Sequence, residues 1–302
     1  MTATLEELLR LKAEARGFSF LPKQPIQSLL SGRHSSRLRG RGLSFDELRH
    51  YQPGDDVRTI DWRATARRRS TQVRVYNDER ERPVLLIVDQ RSPMFFGSQR
   101  AMKSVTAAEL AALAAWRTLA VGDRIGALVF NEDKISEFRP QRSEGQALRI
   151  IHELTRMNQL LASPDPASGT VQLNHALKAA QRIATHDHLI LLISDLDGVD
   201  DNTRQIVTSL SAHNDLLIGL VYDPLGANLQ GGAEMRASDR GEVWEIPRGA
   251  AFAKNFKSAF ADRLDQWRDI FRSLRVPLLP ITTAEPPADQ IRSLIGAPSF
   301  RR

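Results

Sequence analysis

The sequence contains no cysteine among its 302 residues. Disulfide bonds and metal sites built on thiolates are therefore excluded, and a reducing compartment suits this composition. The N-terminus has no apolar h-region, so no signal peptide is expected. No stretch approaches the roughly 20 consecutive apolar residues that a membrane-spanning helix needs. We therefore expect a soluble, cytoplasmic protein without a membrane span.

Lysine is missing from the part of the chain where basic charge is densest. Between Arg33 and Arg82 the sequence has thirteen arginines, eight acids and no lysine, an excess of five positive charges in a chain of net charge +6. Arginine suits fixed, bidentate pairing with carboxylates. The alternative is a nucleic-acid-binding face. The interleaved acids weaken the field that such a face needs, and aromatic residues for base stacking make up only 6% of the chain.

One apolar run organises the predicted fold. Residues 84–88, Val-Leu-Leu-Ile-Val, predict a strand that is covered on both faces and that ends at Asp89. Similar runs at 188–193 and 216–221 alternate with helical patterns. This alternation predicts an α/β fold with a doubly wound, mostly parallel sheet. We assign residues 83–302 to this sheet domain.

The last part of that domain has three further predicted elements. Residues 243–246 predict an edge strand, and residues 250–274 a long helix with an aromatic stripe. Residues 276–281 predict a final strand, followed by a tail with two prolines. The stripe is typical of a core-facing helix rather than of a ligand site.

Residues 1–82 are expected to form an N-terminal helix, an irregular arginine-rich subdomain and a lead-in strand. Thr4 and Glu7 have the spacing of a capping box, and the helix is expected to pack on the main body. Pro53-Gly54 predicts a tight turn. Residues 71–76 alternate apolar and polar side chains, which predicts a strand pairing beside the central strand.

The irregular segment also predicts a network of charges. Asp55 and Asp56 follow the turn, where carboxylates can accept backbone N–H groups or arginine forks. The expected network lies around an aromatic anchor, Trp62, and consists of Asp55, Arg58, Asp61 and Arg67. Such a segment is either scaffold or a face on which a partner docks.

Three oxygen donors are expected at the carboxyl ends of the sheet elements: Asp89, Thr170 and Asp195. Ligands of open α/β sheets bind in the crevice at that edge. All-oxygen ligation suits Mg²⁺. This set resembles the metal-ion-dependent adhesion site of a von Willebrand factor A domain, in which a DxSxS loop follows the first strand. The resemblance implies that Asp89, Ser92, Thr170 and Asp195 would hold any metal.

The stretch ahead of that domain resembles the hallmark of the domain-of-unknown-function 58 family. Its members join such a segment to a von Willebrand factor A-like domain. The resemblance implies an adaptor or co-chaperone that works with a MoxR-type AAA+ ATPase on a client protein. The matching residues are Gly40, Gly42, Phe45, Tyr51, Pro53, Gly54, Asp55, Asp56, Arg58, Asp61, Trp62, Ala66 and Arg67.

The metal loop departs from the family pattern. Its first serine position holds Arg91 and its second holds Pro93, while Ser92 lies one residue out of phase. A guanidinium aimed at the site would repel a divalent cation. The alternative to Mg²⁺ is that Arg91 pairs with Asp89 or Asp195, which makes the crevice independent of metal. Asp89, Arg91, Ser92, Thr170 and Asp195 are then the expected partner-binding crevice.

No enzymatic activity is expected from this sequence. It has neither a phosphate-binding loop nor a dinucleotide-binding glycine motif. Ser92 has no histidine pattern near it that would activate a nucleophile, and Gly97-Ser98 is not a nucleophile elbow. Any ATP hydrolysis would have to come from a partner.

Overall fold

The computed structural model describes residues 2–15, 43–78, 82–162, 172–225, 236–239, 242–245 and 276–296, with scattered residues between 254 and 274. The strands are β1 (Leu43–His50), β2 (Gln72–Asp78), β3 (Val84–Asp89), β4 (Ile125–Phe130), β5 (Ile135–Gln141), β6 (Leu189–Ser194), β7 (Asp215–Tyr222), β8 (Arg236–Asp239), β9 (Glu242–Glu245) and β10 (Leu278–Thr282). The helices are α1 (Leu5–Glu14), α2 (Trp62–Arg68), α3 (Lys103–Ala120), α4 (Glu144–Leu160), α5 (Leu173–Ile183), α6 (Asp201–His213) and α7 (Pro287–Gly296). Two short 3-10 helices span Val57–Thr59 and Ser92–Met94.

Six strands form the main sheet in the order β10-β7-β6-β3-β4-β5. All neighbours are parallel except the edge strand β5, which forms a hairpin with β4. The first of these strands along the chain, β3, lies between β4 and β6, so the strand order reverses direction between β3 and β6. The predicted α/β class and the doubly wound, mostly parallel sheet of von Willebrand factor A type are confirmed.

Strand β3 is buried along its whole length because both of its faces are covered. Side chains alternate between the two faces of a strand. Leu86 and Val88 face the core that contains α1, α3 and α4, whereas Leu85 and Ile87 face the core that contains α5 and α6. The continuous apolar run of the sequence is therefore the mark of a central strand between two helical layers.

Helix α1 packs on the helices of one face of the sheet. Its predicted capping box is present, with the side chain of Thr4 and that of Glu7 each bonded to the other's backbone. Leu8 is buried, and its carbonyl accepts a hydrogen bond of 3.3 Å from Trp116 Nε1 on α3. The chain divides into a unit of residues 1–26 and 82–302 and a unit of residues 27–81. The predicted division also falls near residue 82. It differs in placing α1 with the N-terminal segment, whereas this grouping places α1 with the sheet.

The predicted pairing of residues 71–76 beside the central strand is wrong. Strand β2 pairs antiparallel with β1, and together they form a separate two-stranded sheet. The register shifts between Phe45 and Glu47, which marks a bulge in β1. A bulge interrupts the period of two by which a strand is recognised, so the sequence of β1 resembles an irregular segment.

Two predictions near the end of the chain also differ from the structure. Strand β9 pairs with β8 in its own two-stranded sheet instead of forming an edge of the main one. The stretch expected to be a tail contains α7, which begins at Pro287. Proline is tolerated in the first turn of a helix because its missing N–H would have no helical partner there. The final strand is confirmed, and the described residues between 254 and 271 are helical, with Trp267 and Phe271 buried.

A cluster of charges joins α4 to the edge hairpin. The carboxylate of Glu153 accepts hydrogen bonds from Arg156 Nε at 2.8 Å and from Ser136 Oγ at 2.6 Å. Lys134 Nζ lies 3.1 Å from the same carboxylate. Arg156, followed by Ser136 and Lys134, lowers the pKa of Glu153 to about 2, although partial burial opposes the shift.

The stability that Glu153 contributes is expected to depend on acid pH. Because its pKa is lower in the folded than in the unfolded chain, the contribution is complete above about pH 4.5 and is lost as the pH falls toward 2. Glu153→Gln should therefore flatten the decline of the urea unfolding midpoint across this range. Exposed Glu285 provides the control, since Glu285→Gln should leave the decline unchanged. Equal declines in all three proteins would contradict the prediction.

Candidate functional site

The candidate site lies at the carboxyl edge of the main sheet, beside the point where the strand order reverses. Ligands of open α/β sheets bind in the crevice outside this point. Asp89 is the last residue of β3, and Asp195 directly follows β6, so the two predicted carboxylates come from the two strands at the reversal. Thr170, the third predicted donor, lies outside the described residues.

Arg91 forms a bidentate ion pair with Asp89. Its Nε lies 2.9 Å from Asp89 Oδ1, and its Nη2 lies 2.7 Å from Oδ2. The backbone N–H of Arg91 donates to Oδ1 at 3.1 Å. Asp89 is fully buried and Arg91 is 7% exposed, with its guanidinium 5.4 Å from the ring centre of Phe130. The internal pairing of Arg91 with Asp89, offered above as the alternative to a metal, is present.

The last residue of β6 and the loop that follows it also form hydrogen bonds with this ion pair. Ser194 Oγ donates to Asp89 Oδ2 at 2.7 Å and accepts from the backbone N–H of Leu196 at 3.0 Å. The carbonyl of Asp197 accepts from Arg91 Nη2 at 3.0 Å. Between them, Leu196 is fully buried and has a left-handed backbone with φ of +61°. A leucine in this conformation is unfavourable by itself, so the surrounding contacts must hold it there.

Burial and pairing act in opposite directions on this ion pair. Complete burial raises the pKa of Asp89, and the nearby charge of Asp195 adds to this, while Arg91 and Ser194 oppose it. Burial disfavours the charged form of Arg91, but its hydrogen bond and charge interaction with Asp89 outweigh burial and raise its pKa. The guanidinium of Arg91 therefore stays charged and paired with the carboxylate of Asp89.

A lysine pairs with the second carboxylate. Lys103, the first residue of α3, places Nζ 2.5 Å from Asp195 Oδ2, and the backbone N–H of Asp197 donates to Oδ1 at 3.0 Å. The same Nζ lies 6.0 Å from the ring centre of Phe96, which is 40% exposed on the loop before α3. The sequence analysis missed Lys103, because the residue is 92 positions from Asp195 and no local pattern relates them.

These residues do not fit a divalent cation. The Asp89 carboxylate is fully engaged by Arg91 and Ser194, and one oxygen of Asp195 faces an ammonium group. Two fixed positive charges beside the crevice repel a cation, and Mg²⁺ also requires oxygen ligands that keep near-octahedral geometry. Ser92 contributes its backbone N–H to a short hydrogen bond with the Glu132 carboxylate. The described ranges contain no cluster of three or more metal-ligating side chains.

A third carboxylate at this edge was also missed. Asp223 directly follows β7 and accepts from Ser98 Oγ at 2.5 Å, Ser98 N at 2.8 Å, Thr283 Oγ1 at 2.6 Å and Leu225 N at 2.9 Å. Burial opposes the charge, but the bonds from Ser98 and Thr283 together lower the pKa of Asp223. Its position after an apolar run is the same signal that identified Asp89.

Asp223 also holds the loop that carries Phe96. Ser98 is bound at two atoms, and Gly97 lies so close to the carbonyl of Ala101 that a Cβ at this position would collide with it. The backbone N–H of Lys103 donates to the Phe96 carbonyl at 2.7 Å. The Phe96 loop, residues 95–100, is therefore fixed at both ends and presents an aromatic side chain to solvent.

In the unit of residues 27–81, the predicted charge network has different partners. Asp55 pairs with Arg49 at 2.6 Å, and Asp61 pairs with Arg74 at 2.9 Å. The predicted partners Arg58 and Arg67 are exposed and make no such pair among the described carboxylates. The prediction failed because the arginines that match Asp55 and Asp61 come from strands β1 and β2, and β1 was not recognised.

Other residues of this signature form tight local structure. Gly54 has φ of +106°, as the predicted turn requires, and Pro53 precedes it. The side chain of Asp56 accepts from Arg58 N at 2.9 Å at the start of a 3-10 helix. Tyr51 N donates to the Thr71 carbonyl at 2.9 Å.

Trp62, which was predicted to be the aromatic anchor of the charge network, lies at the surface. Its side chain is 69% exposed. Asp61 caps α2 through bonds to Arg63 N and Ala64 N, and Ala64 is the buried residue of the helix. Positions 62 and 64 are two residues apart, about 200° around a helix, so the buried face at Ala64 turns Trp62 toward solvent.

The main unit is thus a doubly wound α/β domain whose carboxylates at the strand reversal are neutralised by its own arginine and lysine. Every helix among the described residues is too short or too polar to span a lipid bilayer. The chain belongs to the family described as "Protein of unknown function DUF58", whose model matches residues 47–266.

Relatives of known sequence cover most of the chain. The uncharacterized protein Rv1480 of Mycobacterium tuberculosis is 30% identical over 278 residues, which are 91% of this chain and 85% of the relative. The uncharacterized protein Mb1516 of Mycobacterium bovis matches to the same extent.

Two solved structures are similar to the chain at low identity. The conserved hypothetical protein BatB from Bacteroides thetaiotaomicron is 14% identical, with 71% of this chain and 98% of that chain covered and a TM-score of 0.37. The SpRpn10 VWA domain is 10% identical, with coverage of 71% and 95% and a TM-score of 0.37.

Removing one partner of the buried pair is expected to destabilise the fold. Asp89→Ala leaves a buried guanidinium without its counter-charge, which costs about 3–5 kcal/mol. The apolar double change Asp89→Leu with Arg91→Met should restore most of that loss, because both buried charges are then removed. Urea unfolding followed by circular dichroism measures both variants.

The exposed pair between Arg292 and Asp289 provides the matched control. Asp289→Ala should change the free energy of unfolding by about 1 kcal/mol or less, since surface pairs contribute little. A loss in Asp89→Ala no larger than that of the control would show that the buried pair is not a structural element.

Titration with Mg²⁺ or Mn²⁺ is expected to give no saturable binding heat. The physical reason is that Arg91 and Lys103 already neutralise the carboxylates that a cation would use. Isothermal titration calorimetry of the metal-free protein measures this. Asp195→Asn, which leaves the Asp89 pair intact, is the companion variant. Micromolar binding that this variant or Asp89→Ala abolishes would contradict the prediction.

Proposed function

We propose that this protein is a non-enzymatic interaction adaptor that works without a metal in the cytoplasm. The observation that carries the proposal is the internal neutralisation of Asp89 by Arg91 and of Asp195 by Lys103. A general acid or base needs a group that is free to exchange protons, and a metal centre needs free oxygen donors. With both carboxylates held in ion pairs, the rim of the crevice remains as the recognition surface.

The Phe96 loop has the properties of a docking element. Its aromatic side chain is partly exposed, and its backbone is fixed through Gly97 and Ser98. A surface that is already ordered loses less conformational entropy on binding than a flexible one. Aromatic side chains are also enriched among the residues that dominate the energy of protein interfaces.

The partner that we propose is a MoxR-type AAA+ ATPase, with the adaptor or co-chaperone acting on a client protein of that ATPase. Its support is the family resemblance of residues 40–67, together with the membership of residues 47–266 in the family. The nucleic-acid alternative is not favoured. Arg49 and Arg74 are paired with Asp55 and Asp61, and among the described residues of that unit only Trp62 is an exposed aromatic side chain on which bases could stack.

A binding assay with a purified MoxR-type ATPase from the same organism tests the proposal. The ATPase is expected to bind the wild-type protein after nuclease treatment, and Phe96→Ser should weaken binding about tenfold, because an interface aromatic is removed. Val121→Ser is the matched control, since Val121 is 46% exposed at the end of α3 that is opposite to Lys103 and the Phe96 loop.

Surface-immobilised protein and a dilution series of the ATPase give the dissociation constants. If the ATPase does not bind, the partner is wrong. If it binds the wild type and both variants equally, the proposed rim is wrong.

A further inference from the structure

The unit of residues 27–81 exposes two large apolar side chains close together in sequence. Trp62 is 69% and Val57 is 61% exposed. Tryptophan is normally well buried, because its ring removes a large apolar area from water. A pair of exposed apolar residues in a folded segment is therefore a candidate contact surface.

The exposure is built into the segment. Asp61 accepts from Arg63 N at 2.9 Å and Ala64 N at 3.0 Å, and its other oxygen receives Arg74 Nε at 2.9 Å. The backbone N–H of Asp61 donates to the Gln72 carbonyl at 2.9 Å. These contacts, made to both the next helix and β2, fix the residue that precedes Trp62.

Val57 is held in the same way. It begins a 3-10 helix whose first turn is capped by the Asp56 side chain, and Ile60 forms a bridge to Val73 of β2. Thr59 Oγ1 also donates to the Asp56 carbonyl at 2.6 Å. Both apolar side chains are therefore presented by ordered backbone, as a docking surface requires.

The stretch from Val57 to Arg69 also carries arginines that form no ion pair with any described carboxylate. Arg49 and Arg74 form ion pairs with Asp55 and Asp61. No carboxylate in the described part of the chain pairs with the five exposed arginines that flank Val57 and Trp62 along the sequence: Arg58, Arg63, Arg67, Arg68 and Arg69. Of these, Arg67 Nε donates to a main-chain carbonyl at 3.3 Å, and Arg68 Nη1 lies 3.4 Å from Gln72 Oε1.

We propose that Trp62, Val57 and the flanking arginines form a docking surface for an acidic segment of a partner protein that carries a large apolar side chain. Charge complementarity selects the acidic residues, and the indole and valine take the apolar one. Tryptophan and arginine are the residue types most enriched at the energetic centres of protein interfaces.

A protein segment fits this surface better than a nucleic acid does. Base stacking on a single strand uses successive aromatic side chains in a basic groove. Of the two exposed apolar residues here, Trp62 is aromatic and could stack on a base, whereas Val57 is aliphatic and could not. The inference goes beyond the proposed function and does not rest on it, because the surface lies in a different unit from the Phe96 loop.

Fluorescence anisotropy with defined probes tests the proposal. The first probe is a labelled synthetic peptide of Asp and Glu around a central Leu-Phe pair, and the second has Gly-Ser in place of Leu-Phe. The third is labelled single-stranded oligo-thymidylate. The first peptide is expected to bind the full-length protein, and the second about tenfold more weakly. Added salt should weaken both.

Variants then locate the binding surface. Trp62→Ala and Arg63→Glu should each weaken binding of the first peptide about tenfold. Both side chains are exposed, so the fold is expected to survive, which far-ultraviolet circular dichroism checks. The controls are Leu294→Ala and Arg139→Glu, which remove an exposed apolar side chain and reverse an exposed charge in the other unit and should leave binding unchanged.

Three results would overturn the inference. The first is the absence of saturable peptide binding below about 1 mM. The second is equal binding by the wild type and the Trp62 variant. The third is tighter binding of the oligonucleotide than of the peptide, lost in Trp62→Ala, which would make the surface a nucleic-acid site. Because no ATPase is present, these outcomes are independent of those of the rim assay.

Discussion

The ion pair between Asp89 and Arg91 is the interaction on which the architecture of the crevice depends. A carboxylate and a guanidinium removed from water each lose several kcal/mol of hydration, and the loss is offset only when geometry and further hydrogen bonds are good. Both conditions hold. Asp89 accepts from three nitrogens of Arg91 and from Ser194 Oγ, while Arg91 also donates to the Asp197 carbonyl. The loops after β3 and β6 must both be in place to satisfy it.

The conformation of Leu196 follows from that requirement. A left-handed residue other than glycine costs on the order of 1–3 kcal/mol. The turn it makes allows its own N–H to reach Ser194 Oγ and brings the Asp197 carbonyl to Arg91. Asp223, at the end of the neighbouring strand β7, is held differently, because it accepts hydrogen bonds from hydroxyl and backbone amide groups. Asp89 and Asp195 are thus paired with basic side chains, whereas Asp223 is held by neutral donors, and all three carboxylates hold loops in position.

The sequence predicted the main sheet well because its signal is strong and local. A strand between two helical layers must be apolar on both faces, so the runs that became β3, β6 and β7 could be identified without knowing their neighbours. The pairing of Arg91 with Asp89 was accessible for a similar reason, since the two residues are two positions apart. Asp223 could have been found by the rule that identified Asp89, namely a carboxylate at the end of an apolar run.

What the sequence did not predict depends on long-range geometry or on broken periodicity. Lys103 reaches Asp195 only because α3 begins beside the strand reversal, which no local pattern encodes. Strand β1 was missed because its bulge at Phe45–Glu47 disrupts the alternation of side chains. With β1 unrecognised, Arg49 had no place in the charge network, and the acids were assigned to arginines that are in fact exposed.

In the arginine-rich segment, the net charge alone does not show which arginines are paired with acids. Its thirteen arginines and eight acids, counted together, suggest a segment in which most of the charges are paired. The acids are not shared evenly, however: Asp55 and Asp61 bind arginines of β1 and β2, and Asp56 is directed to a backbone N–H. Among the described carboxylates, none forms an ion pair with the arginines near Val57 and Trp62, where apolar side chains are exposed. The same residues that stabilise the segment thus concentrate its remaining positive charge on one stretch of the chain.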